Sequence, residues 1–343
     1  MRTFRALLTA LVATLAGWAQ ASETVCHPFV GVTYTVRAET APRPLRMHIV
    51  DIDLAASGIR FRLTPHSGPL HTGKQTTLGY LRQQQAQIAI NAHFFEPWPA
   101  PSPDPGTASL VGIAASDGQV YAPFLDKAPK QYAIQPNAPG LNIDAGNHAC
   151  IVHRNAADPS GYTVAEPVTL HNTLAGNEQI VTSGRVTAVH SDWNSRLDPR
   201  TAIGLTRSRH LIFFVVDGRQ PGISEGMSVP EVAHVLAGDY GIVDALGLDG
   251  GGSTTLAIAD PTPRVVNVSV GVKDAPGTER AVGSNLAVFA QRPESTSTIC
   301  SASGPAAAPS GISARTCLII ALGVCFAAGL VVLAWQRRSS RAR

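Results

Sequence analysis

The sequence predicts a folded domain built from many short β-strands and a few helices. The 343 residues are 44% hydrophobic and 15% charged and include 31 glycines and 25 prolines, a composition typical of a globular chain with many turns. Most apolar runs are short, alternating or β-branched, and glycine or proline separates them, as is typical of strands. Helical spacing of apolar residues is limited to two segments. The length suits one large domain with a single core.

The predicted elements alternate between groups of strands and single helices. The strands are assigned to Gly31–Arg37, Met47–Asp53, Ile59–Leu63, Ile88–Asn91, Leu110–Ala114, Gln179–Val189, Ala202–Leu205, Leu211–Val216 and Ile242–Leu248. The first helix is assigned to Thr77–Gln87. The second follows the capping box Ser228-Val-Pro-Glu231, whose hydroxyl and carboxylate pair with free backbone amides, and Gly238 marks its end.

Both ends of the chain have the pattern of targeting segments. Residues 1–21 combine a basic start, an uncharged apolar run and the sequence Ala19-Gln20-Ala21, which predicts a cleaved signal peptide. Residues 316–336 contain the uncharged run Cys317–Trp335, about 28 Å long at about 1.5 Å per residue and thus long enough to span a bilayer. The basic tail 337–343 follows and favours the cytoplasmic side.

The order of these segments predicts a type I single-pass protein. The folded domain, 22–292, faces the periplasm or the cell exterior, and a linker rich in proline, serine, threonine and alanine, 293–315, joins it to the predicted membrane helix. In an oxidising compartment cysteines tend to pair. Cys26, Cys150 and Cys300 allow at most one disulfide bond, and the sequence leaves its pairing open.

The distribution of charge excludes a nucleic-acid-binding protein. The net charge of +3 depends on six arginines at the chain ends, and without them 21 lysines and arginines stand against 24 acidic residues. A nucleic-acid binder would carry a clustered basic surface instead. No His-x-His or His-Glu-x-x-His spacing occurs, so neither a metal nor another cofactor is expected.

Two apolar runs end in aspartates that are candidates for chemistry. Leu211–Val216 leads into Asp217, and Ile242–Leu248 leads into Asp249. If the two strands run in the same direction, both carboxylates lie at one edge of the sheet, where open sheets bind their ligands. Structural turns at the strand ends are the alternative.

The residues around these aspartates predict an anion-binding site. Gly250, Gly251 and Gly252 leave consecutive backbone amides uncovered before Ser253, and such amides bind phosphate or an oxyanion. Arg219 follows Asp217 by two residues, and Arg200 precedes Thr201, so two guanidinium groups are candidates for phosphate binding. Asn91 and His93, at the end of a strand, are candidates for the wall of a pocket. The alternative for the glycines is a flexible turn, and for the arginines it is a solvated ion pair. For Asn91 and His93 it is a buried place in the core.

Five motifs in order resemble the phosphodiester glycosidase family, whose reaction releases α-N-acetylglucosamine from a phosphodiester. They begin at Ile90 (Ile-Asn-Ala-His-Phe-Phe), Arg200 (Arg-Thr-Ala-Ile-Gly), Val216 (Val-Asp-Gly-Arg), Leu248 (Leu-Asp-Gly-Gly-Gly-Ser-Thr) and Arg280 (Arg-Ala-Val-Gly-Ser-Asn-Leu-Ala-Val). His93 is a departure from the usual pattern of the family.

The resemblance implies an α+β fold of packed mixed β-sheets with a few helices, and a hydrolase that cleaves a sugar-1-phosphodiester. Asp249 is then the first choice for the catalytic carboxylate and Asp217 the second. Arg200, Thr201, Arg219, the glycine amides, Ser253, Asn91 and His93 are assigned to substrate binding. A non-catalytic surface protein that binds glycans is the alternative, and a metal-dependent phosphodiesterase that uses Asp217 and Asp249 is a further one.

Overall fold

The computed structural model describes residues 21–96, 106–127 and 133–293. All of them belong to Met1–Cys300, the first of the two units into which the chain divides. Residues 1–20 of the predicted signal peptide, almost all of the predicted linker, and the predicted membrane segment and basic tail lie outside the described residues.

The described residues form twenty-one strands and two α-helices, α1 (Thr77–Gln84) and α2 (Val229–Asp239). The strands are β1 (Ala21–Phe29), β2 (Val32–Glu39), β3 (Leu45–Asp53), β4 (Arg60–Leu63), β5 (Thr72–Gly73), β6 (Ile88–Asn91), β7 (Phe95–Glu96), β8 (Thr107–Leu110), β9 (Ala114–Ser116), β10 (Gln119–Ala122), β11 (Gly140–Ile143), β12 (Ala149–Val152), β13 (Asn172–Ala175), β14 (Glu178–Thr182), β15 (Arg185–Val186), β16 (Arg200–Thr206), β17 (His210–Val216), β18 (Ile242–Gly247), β19 (Leu256–Ala259), β20 (Pro263–Val265) and β21 (Asn285–Phe289).

The strands form four sheets within this part of the chain. The largest has eight strands in the order β1-β2-β3-β17-β16-β18-β14-β15. Two five-stranded sheets have the orders β10-β9-β13-β11-β12 and β20-β19-β6-β21-β4, and a small sheet has the order β5-β8-β7. All strand pairs described within these sheets are antiparallel.

The predicted α+β class with a C-terminal transmembrane helix is therefore wrong. The described residues are mostly β-sheet, and their two helices have only eight and eleven residues. Each helix packs on part of one sheet, so most of the core is formed between sheets rather than between helices and sheets. No helix among the described residues is long and apolar enough to cross a membrane, and 316–336 lies outside them. A membrane-spanning helix consequently has no support in the structure.

The centre of the eight-stranded sheet is buried on both faces, as the continuous apolar run predicts. Leu211, Phe213 and Val215 of β17 point into the largest hydrophobic core, which also contains residues of both five-stranded sheets. Ile212 and Phe214 point to the other face, into a second core formed with α2. Successive side chains of a strand point to opposite faces, so a strand that is buried on both faces is apolar at every position.

The central strands β17 and β18 run in the same direction, although they are not neighbours. Strand β16 lies between them and is antiparallel to both. The carboxyl ends of β17 and β18 therefore lie at the edge of the sheet where β16 begins with Arg200. Asp217 directly follows β17 and Asp249 lies two residues beyond β18, so both are located at this edge.

Helix α2 begins with the predicted capping box. The Ser228 hydroxyl accepts a hydrogen bond from the Glu231 N–H, and the Glu231 carboxylate accepts one from the Ser228 N–H. Arg43 donates to both carboxylate oxygens of Glu231 at 2.7 Å, which also fixes the helix to the start of β3. The helix ends at Asp239, one residue beyond the predicted glycine stop.

The described cysteines differ in their chemistry. Cys26 is disulfide-bonded, and its partner lies outside the described residues. Cys150 in β12 carries a free thiol. Burial is the main reason that the pKa of this thiol is raised, which makes it a weak nucleophile.

Replacing the helix cap tests this account of α2. Ser228→Ala removes the acceptor of the capping box and should lower the free energy of unfolding by about 1 kcal/mol, the usual effect of losing such a cap. Urea unfolding measures it, and Ser208→Ala at an exposed turn serves as the control. An unchanged unfolding midpoint for Ser228→Ala would show that packing alone holds the helix.

Candidate active site

A pocket of about 80 Å³ opens at the edge of the eight-stranded sheet where β16 begins and β18 ends. Charged residues and glycines form one part of its wall, and aromatic rings form another. The lining residues are Phe94, Phe95, Trp193, Asp198, Arg200, Arg219, Asp249, Gly250, Gly251, Gly252 and Arg280.

The main chain of Asp249 is held by the end of β6, which belongs to a different sheet. Its N–H donates to the Ala92 carbonyl at 3.0 Å, and its carbonyl accepts a hydrogen bond from the Asn91 side-chain amide at 2.6 Å. The residue before it, Leu248, donates to the Thr201 carbonyl at 2.9 Å. These three bonds orient the Asp249 carboxylate relative to the pocket.

The Asp249 carboxyl has a raised pKa. Burial is the main cause and raises the pKa to about 6, while a hydrogen bond with Ser253, the charge of Arg280 and the Gly250 amide oppose the shift. The side chain still lines the pocket and keeps partial exposure to it. At neutral pH the group is mostly ionised, yet its pKa is close enough to neutrality for proton transfer.

The three glycines after Asp249 allow charged and polar groups to lie directly against the backbone. A β-carbon on Gly250 would be 2.9 Å from the Pro199 carbonyl oxygen, and one on Gly251 would be 2.9 Å from Nη2 of Arg219. A β-carbon on Gly252 would collide with Nη2 of Arg280. The amides differ in availability, because the Gly251 N–H already donates to Pro199 at 2.8 Å.

Arg219 is held between two carboxylates. Its Nε donates to Oδ1 of Asp198 at 2.8 Å, and its Nη1 donates to Oδ1 of Asp274 at 2.7 Å. Burial lowers the pKa of this guanidinium, but the two carboxylates outweigh burial and leave the pKa raised. The side chain thus enters the pocket as a fixed cation.

Arg200 is hydrogen-bonded to main-chain carbonyl groups of two neighbouring loops. Its Nε donates to the Met227 carbonyl at 3.0 Å, and its Nη2 donates to the Arg196 carbonyl at 2.7 Å. The residue is 8% exposed, and burial lowers its pKa to about 10. It therefore keeps its charge at neutral pH.

Arg280 completes the cationic part of the pocket. Its Nη1 donates to the Ser253 hydroxyl at 3.2 Å. Burial lowers its pKa to about 10, and the charges of Asp249 and Asp274 oppose that lowering. Ser253 is 0% exposed and connects this guanidinium with the Asp249 carboxylate.

Several residues assigned to substrate binding lie behind the pocket wall. Asn91 is 0% exposed and Thr201 is 2% exposed. The Asn91 side-chain oxygen accepts hydrogen bonds from the Thr201 hydroxyl and the Thr255 N–H, both at 3.0 Å. Because its amide nitrogen already donates to Asp249, the side chain of Asn91 is occupied by the protein itself.

His93 is also enclosed. It is 0% exposed, and burial lowers its pKa to about 4, so the ring is neutral at pH 7. Its Nδ1 lies 2.8 Å from the Ser284 hydroxyl, and its Nε2 accepts a hydrogen bond from the Ala175 N–H at 2.9 Å. The ring therefore connects the end of β6 with β13 rather than facing a substrate.

Asp217, the second predicted carboxylate, is 1% exposed and does not line the pocket. Its Oδ1 accepts hydrogen bonds from the Val268 N–H at 2.9 Å and from the Asn267 amide at 3.2 Å. Its Oδ2 lies 3.5 Å from Nε2 of the buried His48. The pocket carboxylate that accompanies Asp249 is Asp198.

The sequence interpretation assigned no role to Asp198, Arg280 or Trp193. Arg280 is the first residue of the fifth family motif, so the resemblance contained a signal for it. Asp198 directly precedes Pro199 and Arg200, but nothing in that pattern indicates that its carboxylate pairs with Arg219. Among the described residues no group of three or more histidine, cysteine, aspartate or glutamate side chains has the arrangement of a metal site.

The fold and the pocket define the class as a β-sheet protein whose pocket is lined by three arginines and two aspartates. The family model for phosphodiester glycosidases matches residues 84–289. The chain belongs to the phosphodiester glycosidase family and is a hydrolase. No curated protein matches it in sequence.

Three solved structures share the fold at low sequence identity. A protein from Burkholderia pseudomallei has 14% identity and a TM-score of 0.56, covering 80% of this chain and 97% of that one. A hypothetical protein from Synechocystis has 17% identity and a TM-score of 0.53, covering 76% and 62%. The catalytic domain of zebrafish N-acetylglucosamine-1-phosphodiester alpha-N-acetylglucosaminidase, auto-inhibited by its pro-peptide, has 16% identity and a TM-score of 0.55, covering 82% and 91%.

A methyl group on Gly252 tests the role of the glycines. Gly252→Ala must move Arg280, so kcat/KM on a sugar phosphodiester should fall at least about tenfold, the scale expected for losing a charge-assisted hydrogen bond. Gly238→Ala is the matched control, because a β-carbon there meets nothing within 4 Å. Equal kcat/KM values for the two variants would contradict this role of Gly252.

Proposed function

We propose that this protein hydrolyses a sugar-1-phosphodiester of the α-N-acetylglucosamine type to the free sugar and a phosphomonoester. The observation that carries the proposal is the meeting of Asp249 with Arg200, Arg219 and Arg280 in one pocket. A carboxylate suits reaction at the anomeric carbon, and guanidinium groups suit the phosphate beside it.

The reaction breaks the bond between the anomeric carbon and the phosphate oxygen. Water supplies a hydroxyl group to the sugar and a proton to the solution, and the phosphomonoester departs with the oxygen. Since the second pKa of a phosphomonoester is about 6, this leaving group needs much less protonation than a sugar alcohol does. One carboxylate together with positive charge on the phosphate is sufficient machinery.

Asp249 supplies that carboxylate in the proposed mechanism, either by attacking the anomeric carbon or by activating water. Asp198 is less available, because it accepts a hydrogen bond from Arg219. The anomer formed first distinguishes the two routes, since attack by Asp249 retains the configuration and activation of water inverts it. Proton NMR of the fresh product identifies it.

The remaining groups have binding and positioning roles in the proposal. The three arginines and the Gly252 amide hold the phosphate, with Ser253 between Arg280 and Asp249. The rings of Phe94, Phe95 and Trp193 offer an apolar surface for the sugar or the group beyond the phosphate. Asn91, Thr201, His93 and Asp217 hold the surrounding main chain from behind.

Export is a second part of the proposal. The predicted signal peptide, 1–21, and the disulfide bond of Cys26 both suit an oxidising compartment outside the cytoplasm. The mature chain would begin at Ser22. N-terminal sequencing of the processed protein tests this, and an intact Met1 would contradict it.

Product analysis separates the proposal from a phosphodiesterase. The full chain is incubated with methyl N-acetylglucosamine-α-1-phosphate, and the products are separated by ion chromatography. Free sugar and methyl phosphate support the proposal, whereas sugar phosphate and methanol indicate a phosphodiesterase. The metal-dependent alternative requires Asp217 and Asp249 on one ion, but Asp217 is held by Val268 and Asn267 outside the pocket.

Neutralising Asp249 tests its catalytic role. Asp249→Asn keeps the shape of the side chain and removes its charge, so turnover should fall at least about 10²-fold, the lower limit for a positioned acid–base group. Binding of the diester should change little or improve, because a negative charge near the phosphate is removed. Asp239→Asn at the exposed end of α2 is the control. Near-normal turnover in Asp249→Asn would refute the assignment.

The raised pKa of Asp249 predicts the acidic side of the pH profile. Since the ionised form is the active one, kcat/KM should fall as the pH drops below about 6, by up to tenfold per unit. Arg280→Gln removes a charge that favours ionisation and should move this transition to higher pH. A pH profile of kcat/KM measures both, and an unmoved transition in Arg280→Gln would contradict the coupling.

A further inference from the structure

A tight turn beside the pocket carries a carboxylate that contacts Arg219, one of the arginines that line it. The turn is closed by a hydrogen bond from the Ala275 N–H to the Val272 carbonyl at 2.8 Å. Its two central residues, Lys273 and Asp274, have φ angles of 48° and 58°, a left-handed conformation that aspartate tolerates better than most residues. The turn places Oδ1 of Asp274 2.7 Å from Nη1 of Arg219.

Asp274 acts on the pocket from outside. Its side chain is 60% exposed, and it does not line the pocket, whereas Arg219 does. Arg219 already has a carboxylate partner inside the pocket, Asp198. A second carboxylate is not needed to hold the guanidinium, but it does reduce the positive potential that a bound phosphate would meet. The charge of Asp274 also acts on Arg280.

Charged groups of both signs lie in and beside the pocket. Three arginines line the pocket together with two aspartates, and Asp274 adds a third carboxylate from outside; these residues are Arg200, Arg219, Arg280, Asp198, Asp249 and Asp274. The nearby Arg196 does not line the pocket, and its guanidinium lies over the Trp193 ring. A phosphate therefore enters a site with fixed hydrogen-bond donors, and each carboxylate beside it lowers the positive potential that the phosphate meets.

The substrate and the product of the proposed reaction both contain a phosphate group, but the charge of that group differs between them. A phosphodiester carries one negative charge, and a phosphomonoester carries two above its second pKa of about 6. The Coulomb energy is linear in the charge of the ligand. A carboxylate near the site thus weakens product binding by twice the free energy by which it weakens substrate binding.

We propose that Asp274 determines the selectivity of the pocket for the monoanionic diester over the dianionic phosphomonoester, and so prevents the product from remaining bound. The inference rests on the proposed function, because it assumes that a phosphate group binds at these arginines. It assigns a selectivity role to a residue that touches neither the substrate nor the catalytic carboxylate.

The variant Asp274→Asn removes the charge and preserves the turn, since asparagine also tolerates the left-handed conformation. Asp117→Asn is the matched control. Asp117 has a φ angle of 49°, is 49% exposed at its side chain and lies 2.9 Å from Nε of Arg62, outside the residues that line the active-site pocket. Each substitution removes the charge of one exposed aspartate that forms an ion pair with an arginine.

Calorimetry of the full chain in low-salt buffer measures binding of methyl phosphate and dimethyl phosphate, which differ by one charge at pH 8. Asp274→Asn should tighten dimethyl phosphate binding about threefold and methyl phosphate binding about tenfold relative to the unchanged chain, as a Coulomb effect requires. At pH 5 methyl phosphate is a monoanion, and both ligands should tighten about threefold. Asp117→Asn should change neither.

Equal tightening of the two ligands at pH 8, no tightening, or the same change in Asp117→Asn would overturn the inference. Absence of phosphate binding to the unchanged chain would overturn it as well. Turnover of the methyl diester is followed separately. If the ligand selectivity changes as stated but the diester is not hydrolysed, the proposed function fails and the selectivity of Asp274 stands.

Discussion

The hydrogen bonds of the Asn91 side chain are the constraint on which the rest of the site depends. Strand β6 and strands β16 and β18 belong to different sheets, so no β-ladder fixes one relative to the other. The Asn91 amide bridges this junction by donating to the Asp249 carbonyl and accepting from Thr201 and Thr255. Together with the bond from the Asp249 N–H to Ala92, it fixes the main chain of Asp249 relative to both sheets. An apolar residue of similar size would deprive the Asp249 carbonyl and the Thr255 N–H of this partner, which is unfavourable at a buried position.

Sequence reasoning succeeded where the signal is local. The capping box of α2 involves residues three apart, and the two-sided burial of β17 is visible in a single apolar run. The common direction of β17 and β18 was only a condition of the sequence argument, and an intervening antiparallel strand produces it. By contrast, no pattern predicted strands β11 and β13. Their buried Asn142, Asn172 and Thr173 interrupt the apolar period because they pair with each other or with neighbouring backbone.

The site was predictable in its types of residue but not in its geometry. The motifs identified Asp249, the glycines and two arginines, all of which line the pocket. They did not reveal that Asp217 is enclosed by Asn267 and Val268, because those partners are about fifty positions away in the sequence. The α+β class was taken from the family resemblance, whereas the local patterns of the sequence already indicated mostly short strands. How those strands pack as sheet on sheet has no local pattern, because distant segments form it.

The triple glycine illustrates how a motif that looks flexible can be rigid in its setting. A bare run of glycines favours a mobile turn, yet here the chain forms a 3₁₀ turn over Gly251–Ser253 against the Pro199 carbonyl and two guanidinium groups. The absence of β-carbons permits Arg219 and Arg280 to approach the backbone closely. Because each arginine is also fixed by a separate partner, Asp198 or Ser253, the cations are in place before any ligand arrives. For the proposed reaction, such preorganisation makes electrostatic stabilisation effective, since the protein need not rearrange when charge develops on the departing phosphate.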